Sequence, residues 1–337
     1  MSYFKIHVSL AKILLKMSKK SFIAGVLFSL STCLSAQEIR ETFHFLSLPK
    51  STHIAALGGE NISILEDELG NALHNPALLS TVSNHTITLS YMNYMTGVNA
   101  GSAAYAFTSK EHLTWAFTGE FLSYGKMTQT DEQGTVLGSF SAKDILLGGL
   151  FCYDFNTRWS GGVRLDLIYA HYEQFTALAM GVNLGLNYYH EEKEVSVSLQ
   201  AAHIGAELKT FDNVREKLPF DLTLGVSKDL RFIPVRLSLT MRHLTDWTSS
   251  TNQKESAGKK LLNHLIVGID IKPIQSFYIA LGYNFQRADE FSLEGNSRWA
   301  GVSCGAGLQL KRIKFGAAYA KYHPTSSSLL FNLSYTL

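Results

Sequence analysis

Charge is scarce in this chain: Asp, Glu, Lys and Arg together make up 17% of 337 residues, against about a quarter in ordinary soluble domains. So few charges do not suit a chain that must cover itself entirely with a water-facing surface. Cysteine is scarcer, at three, and Cys33 lies in the leader described below, so a disulfide framework is excluded by count. Cys152 and Cys304 fall on distant strands in the order given below and read as inert wall thiols. Beyond residue 36 no apolar run reaches the roughly eighteen residues of a spanning helix, which excludes a helical membrane protein. A basic excess is missing too. Residues 1–36 hold five of the thirty Lys and Arg and no acid, so a chain beginning at Gln37 carries 25 basic and 28 acidic residues. The formal charge then moves from +2 to −3, and there is no footprint for nucleic acid.

What is present is glycine (26) and aromatic residues (12%), with a mean hydropathy near zero. That combination suits strands with one apolar and one polar or small face. The length would hold two soluble domains, but barrels run this long as one unit.

The N-terminus has the layout of an export signal. Lys16, Lys19 and Lys20 form a positive region, Ser21 to Leu30 an apolar one, and small residues lead to Ser35-Ala36. The expectation is a signal peptide over 1–36 with cleavage before Gln37 and a natural start at Met17. A lipoprotein reading at Cys33 is disfavoured by Thr32, bulkier than the residue usual before a lipidated Cys.

From Asn84 onward the pattern has period two. Val195, Val197, Leu199 and Ala201 alternate with Ser196, Ser198 and Gln200; Val235, Leu237, Leu239 and Met241 alternate with Arg236, Ser238, Thr240 and Arg242. Successive strand side chains point to opposite faces, so each segment has a greasy wall and a polar one. Strands are predicted at 84–94, 100–108, 112–123, 140–153, 158–170, 175–189, 195–203, 219–228, 232–245, 262–272, 276–285, 297–309, 312–321 and 326–337. Every second gap is tight, while 124–139, 204–218, 246–261 and 286–296 are long. Tight turns on one rim and long loops on the other mark an outer-membrane barrel. The expected fold is therefore all-β: an antiparallel outer-membrane β-barrel of about fourteen strands over 84–337. Its last strand carries Leu329, Phe331, Leu333, Tyr335 and Leu337 on alternate positions and looks like the signal read by the barrel-assembly machinery.

Residues 37–83 differ in kind. Leu57-Gly58-Gly59 reads as a turn, and Ile64 to Leu73 as a short acidic helix ending before Asn75-Pro76, since the residue before Pro avoids helical geometry. The segment is too short for a domain of its own and is expected to tuck into or under the periplasmic mouth as a plug.

This segment also carries a family resemblance. Phe45-Leu46-Ser47-Leu48-Pro49, Ala55-Ala56-Leu57-Gly58-Gly59 and Asn75-Pro76-Ala77-Leu78-Leu79 are similar to the start of PorQ proteins of the type IX secretion system. The likeness continues at Tyr91 to Tyr94, Tyr124-Gly125, and Asp131 with Gly134, Gly138, Phe140 and Asp144. The Asn-Pro-Ala element is shared with related fatty-acid-transporter-like barrels, PorV included. The resemblance implies a fourteen-stranded barrel in the outer membrane of a Gram-negative, Bacteroidota-type bacterium. It implies a non-enzymatic part in a cell-surface attachment complex, holding a PorZ-like protein beside a PorU-like sortase and a PorV-like barrel. The alternative is a fatty-acid-transporter-like channel for hydrophobic solutes.

No catalytic, cofactor or metal constellation stands out. His190-Glu191-Glu192-Lys193-Glu194 lacks the second His of a metal helix and sits in a predicted turn. Ser123, His171 and Asn183 have no spacing that asks for a triad. Asp270, Arg236 and Arg242 lie opposite the apolar stripes and are expected in the lumen as a filling ion-pair network. The long loops supply the candidate partner contacts: Phe211 and Arg215 in one, Trp247, Lys259 and Lys260 in another. Aromatic anchors amid charge suit a protein interface, and the basic end suits acidic lipopolysaccharide in the surrounding outer-membrane lipid.

Overall fold

The structure, a computed structural model, describes residues 43–110, 112–131, 133–211, 217–247, 257–290, 298–323 and 326–337. The expected signal peptide and Arg215 lie outside the described residues. Fourteen strands form one closed antiparallel barrel, each bonded to its sequence neighbours. They are β1 Thr86–Met95, β2 Val98–Lys110, β3 Leu113–Thr130, β4 Val136–Asp154, β5 Trp159–Tyr172, β6 Phe175–His190 and β7 Val195–Lys209. The second half is β8 Asp221–Leu230, β9 Val235–Met241, β10 Leu265–Ile274, β11 Phe277–Asn284, β12 Val302–Leu310, β13 Ile313–His323 and β14 Ser326–Thr336. The C-terminal strand closes the ring: Thr86 stands opposite Thr336 and Asn93 opposite Leu329.

The two faces are inverted relative to a water-soluble protein. Along β14, Leu329, Phe331, Leu333 and Tyr335 point outward and are at least 39% exposed, while Ser328, Asn332 and Ser334 are buried inside. Along β9, Leu237 and Leu239 are exposed while Arg236, Ser238 and Thr240 are buried. In water each such Leu would forgo about 1.5–3 kcal/mol of burial, repeated around the whole circumference. Such a surface is stable in hydrocarbon, and a closed barrel leaves no unpaired strand edge there. The chain is an outer-membrane barrel. No helix among the described residues is long and apolar enough to cross a membrane; the crossings are strands.

One rim carries the connections 111–112, 155–158, 191–194, 231–234, 275–276 and 311–312, and the other the long ones, 210–220, 242–264 and 285–301. By that asymmetry the first rim is periplasmic and the second extracellular.

Several boundaries differ from the sequence reading, each for a local reason. The expected loop 124–139 is mostly strand, because β3 and β4 continue as a hairpin to Thr130 and from Val136. A bulge between Ser123 and Lys126, with Gly125 at φ 75°, breaks the alternation there without ending the strand. β7 likewise runs past its predicted end to Lys209 through an irregularity in its pairing with β6, with His203 at φ 55°. β9 and β10 are shorter than expected, since β9 ends at Met241 and a helix, Ala257–Asn263, precedes β10. β12 starts at Val302 rather than 297, after a 3-10 turn over Arg298–Gly301.

Candidate functional site

The lumen is occupied by residues 43–83, which touch all fourteen strands. The segment, expected to tuck into or under the periplasmic mouth, threads the barrel. Its outer end is anchored by packing: Phe43, Phe45 and Leu46 are buried against Leu122, Leu146 and Ile168, with Leu48 beside them. Pro49 is buried and ends this turn. Helix α1 (Thr52–Ala56) follows, its first N–H groups accepted by the Ser51 hydroxyl at 3.1 and 3.4 Å. Thr, Ser, Asp and Asn favour that position because their oxygen satisfies donors the helix leaves open. α1 ends at the Leu57-Gly58-Gly59 turn, where φ of 107° and 95° requires glycine at both positions.

The wall is cut to receive the segment. A Cβ on Gly282 would stand 2.1 Å from the Gly58 nitrogen, and one on Gly162 2.3 Å from the Pro76 carbonyl. One on Gly185 would stand 2.0 Å from Asn75 Oδ1. Asn75 itself accepts from the Ala77 N–H at 3.0 Å and donates to the Ile62 carbonyl at 2.7 Å; the Ala77 carbonyl accepts from Ser160 at 2.9 Å. Leu57, Gly58, Asn75, Pro76 and Ala77 thus seat on wall glycines or hydroxyls, and Gly59 lies against Arg287 and Tyr322.

The predicted helix over 64–73 forms only as α2 (Leu69–His74). Residues ahead of it are drawn out by charge. Glu66 meets Arg236 Nη2 at 2.8 Å, Lys272 Nζ at 2.6 Å and His53 Nδ1 at 2.7 Å. Arg236 Nε donates to Asp270 Oδ2 at 2.9 Å, and His53 Nε2 bonds Asp270 Oδ1. The His53 ring also stacks on Tyr278, 3.9 Å between centroids. Burial opposes a charge on His53, but the carboxylates of Glu66 and Asp270 outweigh it and its pKa is pushed up to about 10. The donor atoms of His53, Glu66 and Glu68 lie within 4.8 Å of one another. Arg236 and Lys272 already neutralise Glu66, and Ser51 donates to Glu68 at 2.7 Å, so the cluster is an ion-pair network.

A second network holds the opposite wall. Arg164 donates to Asp166 at 2.7 Å, Glu120 at 2.6 Å and the Leu73 carbonyl at 2.6 Å, and Lys50 stands 3.8 Å from Glu120. A third pairs Arg242 with Glu60 at 3.3 Å. Asp270, Arg236 and Arg242 therefore lie in the lumen, and each network joins plug to wall. Sequence periodicity found these wall residues but missed Arg164, Asp166 and Glu120, which share the same inward parity. The interior leaves a polar cavity of about 350 Å3 in its outer half, bordered by Lys50, Glu60, Arg164, Asp166, Arg242 and Arg287. The apolar space beside Phe45, Met92 and Leu122 is only about 30 Å3.

The loop candidates are scattered over the outer rim. Phe211 is half-buried and stacks on Tyr172 at 4.9 Å, on the outer end of the plug. Trp247 is 45% exposed, with its ring 4.4 Å from His264. Lys259 and Lys260 sit on α3 (Ala257–Asn263), and Lys259 bonds Asp289 at 2.9 Å. Asp289 belongs to α4 (Phe285–Glu290) of the next loop. Asn183 is spent on Asp166 and the His203 N–H, both at 2.7 Å, away from Ser123 and His171, so no triad assembles. Glu191–Lys193 is an exposed turn, and Cys152 and Cys304 are free thiols.

No protein-family model matches the chain, and no curated protein matches it in sequence. Solved structures do match its fold. The toluene transporter TodX of Pseudomonas putida aligns with a TM-score of 0.53 at 13% identity, over 85% of this chain and 97% of that one. The toluene transporter TbuX of Ralstonia pickettii gives 0.52 at 13%, over 86% and 98%. A FadL homologue of Pseudomonas aeruginosa gives 0.50 at 12%, over 85% and 97%. At such identities the likeness is one of fold, and the PorQ-like motifs draw no support from it.

Proposed function

We propose that this chain is a non-enzymatic platform: a plugged outer-membrane barrel that holds a partner at the cell surface. The observation that carries the reading is the interior. A segment bound to every strand by packing, ion pairs and hydrogen bonds leaves spaces of about 350, 240 and 320 Å3, each bordered by charged side chains, and only about 30 Å3 beside Phe45, Met92 and Leu122. Ligand pockets run to roughly 300–1,000 Å3 and are mostly apolar, so a hydrophobic solute finds no ready path through the described interior. The PorQ-like motifs support a finer form of the proposal. In it the partner is a PorZ-like surface protein of type IX secretion, with a PorU-like sortase and a PorV-like barrel in the same complex. The motif residues Leu57, Gly58, Asn75, Pro76 and Ala77 are those that seat the plug, which fits a role in keeping the scaffold rigid. Trp247, Lys259 and Lys260 on the outer rim are the proposed contacts.

A second reading has its own observation. The structural neighbours are described as toluene transporters and monoaromatic hydrocarbon channels, which favours a channel for hydrophobic solutes. The two readings part in one experiment: affinity purification of the tagged barrel from native outer membranes in mild detergent. A surface protein that comes with it, and is lost when loop 246–261 is shortened, supports the platform. A barrel that comes alone and binds toluene or a fatty acid overturns it in favour of the channel.

A further inference from the structure

The outer half of the lumen contains a buried cation that forms no ion pair among the described residues. Arg287, on α4, is only 8% exposed. Its Nη2 donates to the Gly58 carbonyl at 2.9 Å, and its guanidinium carbon lies 4.2 Å over the Tyr322 ring. Nη1 is buried without a hydrogen-bond partner, and so is the Tyr322 hydroxyl. Both residues border the 350 Å3 cavity.

The other cations on that cavity are matched: Arg164 by Glu120 and Asp166, Arg242 by Glu60, and Lys50 by Glu120. Among the described residues no carboxylate comes within the 4.0 Å ion-pair distance of Arg287. Glu290, on the same helix, is exposed at the rim of the cavity and acts on Arg287 only from beyond that distance. A desolvated charge costs several kcal/mol unless something offsets it, and burial pulls the Arg287 pKa down. Arg287 Nη1 and the Tyr322 hydroxyl, which interact with each other, have no other partner at the edge of a cavity large enough for a small solute.

We propose that this cavity binds the oxyanion end of a hydrophilic solute, a phosphate or a carboxylate, on Arg287 Nη1 and the Tyr322 hydroxyl. One oxygen accepts from each donor, and charge-assisted bonds of this kind are about twice as strong as neutral ones. The rest of the cavity is bordered by Lys50, Glu60, Arg164, Asp166 and Arg242, a charged and polar lining that suits a hydrophilic body. An alkyl chain would lie against that charged lining, so a fatty acid is not the ligand. Because the Gly58 carbonyl holds the same guanidinium, occupancy also tightens the plug turn against α4.

The test uses the full mature chain extracted in detergent. Inorganic phosphate, acetate and palmitate are titrated at constant ionic strength, with chloride as reference, by calorimetry and by thermal unfolding. Phosphate or acetate binds and raises the unfolding temperature beyond chloride, and the tighter of the two names the anion. Tyr322→Phe, which keeps the ring and the cavity, weakens that binding about tenfold, and Arg287→Gln abolishes it. If Arg287→Gln fails to fold, Tyr322→Phe still decides. Binding of neither small anion, binding of palmitate alone, or unchanged affinity in Tyr322→Phe would overturn the proposal.

Discussion

Replacing Gly162 and Gly282 together by alanine should unseat the plug while leaving the barrel wall intact. A Cβ at Gly282 would lie 2.1 Å from the Gly58 nitrogen and 2.2 Å from the Leu57 carbonyl carbon, where ordinary contact begins at 3.4 Å. At Gly162 it would lie 2.3 Å from both the carbon and the oxygen of the Pro76 carbonyl. All four are backbone atoms, so no side-chain rotamer relieves the overlap, and the plug must move by more than an ångström. Overpacking of this kind costs about 1–3 kcal/mol at each site, and separate sites add. The pair therefore shifts the seated-to-unseated equilibrium by roughly one and a half to four orders of magnitude, at about 1.4 kcal/mol per tenfold. Cys152 reports the change, because it faces Gly162 across the β4–β5 ladder and its thiol lies 3.5 Å from the Ala77 carbonyl. In a Cys304→Ala background, maleimide should spare Cys152 in the parent and label it in the double variant, with ion conductance in planar bilayers rising in parallel. Gly119→Ala is the control, since its Cβ meets nothing nearer than Leu147 at 3.8 Å. If the double variant protects Cys152 as well as Gly119→Ala does, the seating argument is wrong.

Other outcomes follow from the networks and the wall. Arg236→Met removes one of the cations that Asp270 and Glu66 share with His53 and should cost about 3–5 kcal/mol in detergent unfolding. Arg236→Met with Asp270→Leu should recover part of that loss, and no recovery would mean the pair is not coupled. His53 is held at about 10 in the folded chain against an ordinary 6.5. Its raised value makes the stabilisation complete below pH 6.5, declining from there and lost above about pH 10. His53→Gln should flatten that part of the stability profile, measured as plug protection against protease from pH 6 to 10. Leu147, 60% exposed on the outer face of β4, should accept Arg only at a cost of about 2–4 kcal/mol near the bilayer centre. Urea titration of folding into vesicles would read it, and a neutral result would place Leu147 away from hydrocarbon.

The barrel was legible because lipid enforces a strict code: Leu329, Phe331, Leu333 and Tyr335 must alternate with small or polar residues if one wall is greasy and the other is not. The code falls silent where strands leave the membrane. Gly125 and His203 break the alternation at irregularities in the pairing, so β3 and β7 read as ending early. The acidic run at Glu66 and Glu68 looked helical because local propensity cannot see Arg236 and Lys272, more than 160 residues away in the chain. The site was legible only in part. Arg236, Arg242 and Asp270 announced themselves as charges opposite apolar stripes, whereas Arg287 follows a strand in a loop and acquires its meaning from Tyr322 and Gly58. The glycine seats were invisible for a related reason: Gly162 and Gly282 look like any small inward residue until Pro76 and Gly58 are brought against them.

The claim that this barrel is a platform and not a conduit is tested most directly in a strain lacking it, by following surface-anchored proteins and the uptake of hydrophobic solutes in the same culture. The account predicts that surface proteins are released or mislocalised while uptake of toluene and long-chain fatty acids is unchanged. Lost uptake with surface proteins correctly attached would contradict it.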